Sequence, residues 1–233
     1  MDRRDFARLA VAGVGLGASV GAGAADAPPT TWDGLVRVPS KKLKFVYLAP
    51  KTDFKPYTKV MLDPTEVAFD KNWVRNYNSQ QADPTGYIEA SDIRNAVTDG
   101  VKRSDKLFDK AFTDGGYQVV TAPGPDVLRV RTALLNIQVA SPDLMSSMSR
   151  TITNSSAAGS AMLVVEVRDS QSNALLGRAV DQRLAGEGGS VLRNSATNHA
   201  DFDELIKTWA KASVAGLNEL KTLPQVPAGG PPA

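Results

Sequence analysis

The spacing of hydrophobic residues along the chain predicts two helices and five strands. Apolar side chains recur every three to four positions over residues 90–112 and 202–220, which indicates two amphipathic helices. Alternating or continuous apolar runs predict strands within residues 57–69, 117–121, 127–139, 162–168 and 175–184. This order favours an α+β fold, with an antiparallel sheet of about four to five strands and two helices packed on one face.

Individual residues predict where these elements bend and end. The first strand contains Asp63-Pro64, where we expect a bend or bulge because proline cannot donate a ladder hydrogen bond. The alternation in the strand 127–139 changes face near Thr132, which indicates a bulge there. Ser91 or a neighbour is expected to cap the first helix, and Asn198 or Asp201 the second.

The first residues of the chain have the pattern of an export signal. Arg3, Arg4 and Phe6 resemble the twin-arginine motif, which is an address read by a receptor. The uncharged run that follows, residues 9–24, is shorter than the roughly 20 residues that a membrane-spanning helix needs. We therefore predict a signal peptide of the twin-arginine type over residues 1–24, with the general secretory route as the alternative.

Small residues mark the expected cleavage site. Ala22 and Ala24 have the small-x-small spacing that signal peptidases recognise, so we place the cut after Ala24. A cut after Ala27 is less favourable because Pro28 would follow the bond. Composition then divides the chain into a linker over 25–42, a single α+β domain over 43–222 and a disordered Pro/Gly tail over 223–233.

Composition excludes several classes of site. The chain has 233 residues, a formal net charge of +2 and no clustered basic stripe, so we expect no nucleic-acid binding. It has no cysteine, which excludes disulfides, thiolate metal sites and a cysteine nucleophile. It also lacks the cysteine that would be acylated in a lipoprotein, so we expect no stable membrane anchor after signal cleavage.

The titratable residues give no recognisable metal or cofactor site. His199 is the only histidine, so zinc would lack ligands, and the acids at 201, 203 and 204 lack the spacing of a calcium loop. We interpret those acids as the charged start of a helix, and we expect no cofactor and no metal. A triad of Ser195, His199 and Asp201 is disfavoured because no Gly-x-Ser-x-Gly turn is present.

Two further features have alternative interpretations. Arg129 and Arg131 could bind an anion if they share a face with other strand arginines, although solvent-facing charge is the simpler interpretation. Residues 141–160 are long for a connection between strands and contain Met145, Met148 and Arg150. This segment is either a partner-docking loop or a disordered connection.

Several short motifs occur in a fixed order along the domain. They are Val46-Tyr47-Leu48-Ala49-Pro50, Tyr57-Thr58-Lys59-Val60-Met61-Leu62-Asp63-Pro64, Ala68-Phe69, Gly116-Tyr117-Gln118-Val119-Val120, Pro123-Gly124-Pro125-Asp126-Val127-Leu128 and Leu175-Leu176-Gly177-Arg178-Ala179. Over about Lys42 to Leu220, the chain resembles the bacterial envelope family known as domain of unknown function 3313. The resemblance implies a small exported protein with no assigned activity, in a family whose members are typically lipoproteins.

These observations predict an exported soluble envelope protein without enzymatic activity that binds a ligand or an envelope protein partner. The alternative is a carboxylate-based hydrolase or other periplasmic enzyme. Its candidate acids are Asp63, Glu66, Asp70, Asp201, Asp203 and Glu204.

Overall fold

A large mixed β-sheet lies at the centre of the protein. The computed structural model describes residues 29–140, 154–155, 157–186, 191–192, 194–223 and 225–226. Nine strands form the sheet in the order β1-β2-β3-β10-β9-β7-β4-β6, with β5 also paired to β7. Their bounds are β1 Thr31–Trp32, β2 Leu35–Val38, β3 Phe45–Leu48, β4 Lys59–Leu62, β5 Glu66–Phe69, β6 Gln118–Val119, β7 Val127–Val139, β9 Gly159–Asp169 and β10 Leu175–Ala185. Two short strands, β8 Asn154–Ser155 and β11 Val191–Leu192, pair separately.

Among the described residues, three α-helices accompany the sheet: α1 Trp73–Ser79, α2 Ala90–Asp114 and α3 Ser195–Thr222. A 3₁₀ turn, Pro84–Gly86, lies between α1 and α2. The two long helices cover one face of the sheet, where Phe108 and Phe112 of α2 and Trp209 of α3 share a core with Leu128 and Leu163 of β7 and β9. Burial of these apolar stripes is the main force that holds the helices on the sheet.

The structure confirms the α+β class and corrects its details. The sheet has nine strands instead of four or five, and the described residues include a third helix, α1. The sheet is also mixed, because β4 pairs in parallel with β6 and β7, and β5 pairs in parallel with β7. Parallel pairing is possible here because α2 connects β5 to β6 across the sheet face.

The described strands begin within the segment that was expected to be a linker. Trp32 and Leu35 are buried, and the hairpin between them turns at Asp33 and Gly34, whose φ angles are 53° and 79°. Positive φ at both central residues is the requirement of a type I′ turn, which Asp-Gly satisfies well. At the other end Val226, within the expected tail, is 3% exposed and its N–H donates to the Thr52 carbonyl at 3.1 Å.

The bend expected at Asp63-Pro64 is confirmed, whereas the bulge expected near Thr132 lies elsewhere in the strand. Strand β4 ends at Leu62 and β5 begins at Glu66, on either side of Asp63-Pro64. In β7 the register shifts between Leu135 and Gln138, around Asn136 at φ 51°, and not near Thr132.

The N-cap of α2 is a neighbour of Ser91, as expected, whereas the N-cap of α3 differs from the expected residues. Glu89 caps α2 through a capping box with Asp92. Helix α3 begins earlier than expected, with Asn194 as its cap, so Asn198 and Asp201 lie inside it. The Thr197 backbone N–H donates to the Asn194 side-chain oxygen, and the Asn194 backbone N–H donates to the Thr197 hydroxyl oxygen. This reciprocal pair satisfies amide groups at the start of α3.

Candidate ligand-binding site

An apolar cavity of about 290 Å³ lies between the helix-covered face of the sheet and the C-terminal half of α3. Its walls are aliphatic and aromatic side chains from β2, β3, β7, β9 and both long helices, from the connection between β2 and β3, and from the segment after α3. They include Val38, Leu43, Val46, Leu48, Phe112, Val130, Val165, Val167, Leu217, Leu220 and Val226. A concave apolar space with few polar groups is the usual form of a small-molecule site.

Small residues on the walls create this cavity. Gly216 faces it from α3, and a Cβ built at that position would meet no atom within 4 Å. Ala212 lines it one turn earlier on the same helix, and Gly177 and Ala179 line it from β10. Glycine inside a helix lowers helix stability, so Gly216 contributes space at the expense of local stability.

The mouth of the cavity is polar. Lys42, from the connection between β2 and β3, forms a salt bridge with Glu219 of α3, and the two side chains are 36% and 65% exposed. Ser40 and Ser213 also line the cavity. The site therefore combines an apolar interior with one cation and one anion at its solvent side.

Two of the acids proposed for a hydrolase, Asp63 and Asp70, have structural roles in this arrangement. Asp63 accepts two hydrogen bonds from Arg129, at Nε–Oδ1 3.0 Å and Nη2–Oδ2 2.9 Å. Asp70 accepts from the backbone amides of Asn72 and Trp73 at the start of α1. Within the described residues, no group of three or more His, Asp or Glu side chains is arranged to hold a metal ion.

Hydrogen bonds also lower the pKa of Asp83, Asp126 and Asp169, which are not among the acids proposed for a hydrolase. The pKa values of these three aspartates lie below the usual range, because hydrogen bonds stabilise their charged forms. These bonds come mainly from the Thr85 amide to Asp83, from Lys59 to Asp126 and from the Ser172 amide to Asp169. A carboxylic acid that donates a proton near neutral pH needs a shift in the opposite direction.

His199 lies at the contact between α2 and α3. Its Nδ1 is 3.3 Å from Arg103 Nη2, and its Nε2 is 3.7 Å from Asp99 Oδ2. Both of these contacts come from α2. Asp203 pairs with Arg103 at 2.8 Å.

Arg129, Arg131, Arg168 and Arg178 do share a face, but only Arg178 is buried. The side chains of Arg131 and Arg168 are largely covered, at 12% and 11% exposed. Glu166 of β9 is 1% exposed and accepts hydrogen bonds from Arg178 at 2.6 Å and Arg168 at 3.1 Å. Arg131 is 3.9 Å from the same carboxylate. These residues lie on the sheet face opposite the long helices, and their guanidinium groups are largely used to neutralise Glu166 and Asp63. They are therefore poorly placed to serve an external anion.

The β1–β2 hairpin closes this network. Trp32 places its ring 4.0 Å from the guanidinium carbon of Arg178, and Asp33 accepts a hydrogen bond from Arg178 Nη1 at 2.8 Å. Arg183 is separate from this group, since its Nε binds Asp181 at 2.7 Å.

Several residues singled out from the sequence lie outside the described residues. They are Arg3, Arg4 and Phe6 of the export motif, Ala22 and Ala24 of the cleavage site, and Met145, Met148 and Arg150 of the proposed docking loop. Sequence reasoning did not find the cavity, whose walls come from distant parts of the chain. The glycine inside the predicted second helix, Gly216, was the one local signal that could have indicated it.

The sequence model of the family described as "Protein of unknown function (DUF3313)" matches residues 31–213. The chain belongs to this family. The match begins at β1, in agreement with the strands found in the expected linker. A comparison with curated proteins gave no match.

Solved structures resemble the chain only distantly. The PelC dodecamer from Paraburkholderia phytofirmans is 11% identical, with a TM-score of 0.37 over 72% of this chain and 94% of that chain. A minor lipoprotein from Acinetobacter baumannii is also 11% identical, with a TM-score of 0.35 over 73% and 98%. These values are too low to transfer any property to this protein. Among the described residues, no helix is long and apolar enough to cross a membrane.

Proposed function

We propose that this protein is a soluble, non-enzymatic envelope domain that binds one aliphatic chain of an amphiphile in the cavity beneath α3. The observation that supports this proposal is the 290 Å³ apolar cavity with a charged mouth. If each methylene group occupies about 30 Å³, this volume accommodates roughly eight to ten methylene groups. Each buried methylene contributes about 0.8 kcal/mol, which is enough for a useful affinity.

The polar mouth fixes the orientation of the ligand. An aliphatic chain would lie in the apolar interior, and an anionic head group would remain at the mouth beside Lys42. Because Glu219 already pairs with Lys42, the head group competes with that carboxylate. We therefore expect the chain to supply most of the affinity and the head group to supply modest selectivity.

Filling the cavity tests this function. Gly216→Leu places a side chain in the open space and should abolish binding of decanoate in isothermal titration calorimetry. Gly216→Ala is the matched control. Like Gly216→Leu, it raises the helix propensity at this position, but it adds only a methyl group. Its affinity for decanoate should therefore stay within about threefold of that of the unchanged protein. Equal decanoate affinity in both variants would contradict a site in this cavity.

The enzymatic alternative has less support. Asp63 and Asp70 are engaged in an ion pair and in helix-start hydrogen bonds, which leaves neither poised to activate water. The docking role of Met145, Met148 and Arg150 remains a prediction, since that segment lies outside the described residues.

We further propose that the chain is exported to the periplasm by the twin-arginine route. The support is the sequence pattern of Arg3, Arg4 and Phe6 before an uncharged run and the Ala22-Gly23-Ala24 site. Changing both Arg3→Lys and Arg4→Lys should leave an uncleaved precursor in the cytoplasm, as judged by fractionation and immunoblotting. Cleavage and export of this double variant at the normal level would contradict the twin-arginine assignment.

A further inference from the structure

A second cavity of about 220 Å³ lies near the other end of α3. It is enclosed by the first half of α2, the first turns of α3 and strands β5 and β7, and it shares no lining residue with the first cavity. Its walls are rich in aromatic rings. Phe69 and Trp73 stack with their centroids 5.4 Å apart, and Phe202 contributes a third ring from α3.

One buried polar group in this wall has no partner in the protein. Ser104 of α2 lines the cavity and is 0% exposed, and its hydroxyl oxygen makes no hydrogen bond. An unsatisfied buried hydroxyl is costly, and a serine in a helix usually relieves that cost with a backbone carbonyl one turn earlier. The orphaned Ser104 hydroxyl therefore indicates that a hydrogen-bonding group of a ligand belongs inside the cavity.

The charged residues that line the cavity are mainly acidic. Asp92, Asp99 and Asp203 contribute three carboxylates, against the single guanidinium of Arg103. Arg103 contacts Asp99 at 2.7 Å and Asp203 at 2.8 Å, so one cation serves two of these acids. The three carboxylates outnumber the guanidinium by two, which favours a cationic ligand.

We propose that this second cavity binds a small aromatic amine. The ring packs against Phe69, Trp73 and Phe202, and the ammonium group lies beside the carboxylates of Asp99 and Asp203. A hydroxyl at the far end of the ligand forms the hydrogen bond that Ser104 lacks. One substituted benzene fits this volume, because a cavity of about 150 Å³ already accommodates benzene.

Three probes separate these contributions in titration calorimetry on the full chain. Tyramine carries both the amine and the phenolic hydroxyl, phenethylamine lacks the hydroxyl, and 4-ethylphenol lacks the amine. We expect tyramine to bind most tightly, and we expect added salt to weaken the two amines but not 4-ethylphenol. Equal affinity for all three probes, or no saturable binding of tyramine, would overturn the proposal.

Three variants locate the site. Ser104→Ala should lower tyramine affinity about three- to tenfold and leave phenethylamine unchanged. It should not lower the melting temperature, because the serine hydroxyl makes no hydrogen bond that could be lost. Ala96 is an exposed residue that lines the cavity, so Ala96→Phe places a ring at its edge and should abolish tyramine binding. Asn95 is equally exposed but does not line the cavity, so the control Asn95→Phe should not affect binding.

Unchanged tyramine binding in Ala96→Phe would place the amine elsewhere on the protein and overturn the assignment. Decanoate binding to the first cavity is measured separately in the same variants and should be unaffected. Failure of the amine site is therefore distinguishable from failure of the proposed function.

Discussion

At the scale of single residues, Glu166 is the central charge of the sheet face opposite the long helices. It is 1% exposed and lies in register with Arg131 on β7 and Arg178 on β10, so strand pairing itself brings cations to both sides. Burying a carboxylate is costly unless charge and hydrogen bonds compensate. Here Arg178 and Arg168 supply four hydrogen bonds to its two oxygens.

Neutralising this carboxylate should destabilise the fold. Glu166→Gln leaves Arg178, 3% exposed, without its buried counter-charge, and we expect a loss of about 3 kcal/mol in the free energy of unfolding. The control Asp33→Asn removes the more exposed partner of the same arginine, whose side chain is 41% exposed, and should cost less than about 1 kcal/mol. Urea denaturation measures both values. Similar losses in the free energy of unfolding for the two variants would show that burial does not determine how much Glu166 contributes to stability.

The residue pattern predicted the alternation of these side chains but not their environment. The alternation of polar and apolar residues along β9 places Glu166 and Arg168 on the same face of the strand, and the two side chains do lie together there. A period of two residues gives the face of a side chain and does not say what covers that face. The cover comes from Trp32 and Tyr47, more than 100 positions earlier in the sequence, in β1 and β3.

At the scale of elements, Trp209 attaches α3 to the sheet. Its side chain is fully buried, and its indole N–H donates to Asp181 Oδ2 of β10 at 2.9 Å. The ring therefore combines a large apolar contact with a buried hydrogen bond.

Truncating Trp209 should cost much of the stability of the domain. Trp209→Ala removes the ring from a closely packed core, and we expect a loss of about 3–5 kcal/mol by chemical denaturation. Leu184→Ala is a suitable control, because Leu184 is 50% exposed and should contribute less than about 1 kcal/mol. A small effect of Trp209→Ala would mean that α3 is held mainly by its other contacts.

Length decided which elements the sequence could predict. Helices α2 and α3 and strands β7, β9 and β10 have 11 or more residues each, long enough for periodicity to be recognised. Strands β1 and β2 have two and four residues and lie within residues 25–42, whose composition suggested a linker instead. The bulge at Asn136 was misplaced, because it depends on pairing with β9.

At the scale of the whole molecule, the two cavities come from tertiary assembly. The first is bounded by residues from Val38 to Val226, and the second by residues from Val67 to Ile206. No local motif encodes a space between a helix and a sheet, so sequence reasoning supported ligand binding only in general terms. The single helix α3 borders both spaces, the first through its C-terminal half and the second through its N-terminal half.

The N-terminal hairpin provides the sharpest test of the whole assembly. A chain beginning at Leu43 lacks β1 and β2 and therefore loses the buried side chains of Trp32, Leu35 and Val38. Each contributes about 1.5–3 kcal/mol, and their sum is comparable with the total stability of a typical domain, about 5–15 kcal/mol. We expect this chain to be unfolded or aggregated, as measured by circular dichroism melting and soluble yield.

A control chain beginning at Pro29 keeps both strands and should melt cooperatively. If residues 25–42 were only a linker, the two truncated chains would melt at the same temperature. A cooperative transition of the shorter chain within a few degrees of the control would therefore show that the hairpin is peripheral. Loss of folding in the shorter chain alone would make β1 and β2 part of the cooperative unit, because their side chains cover the buried Glu166–Arg178 pair.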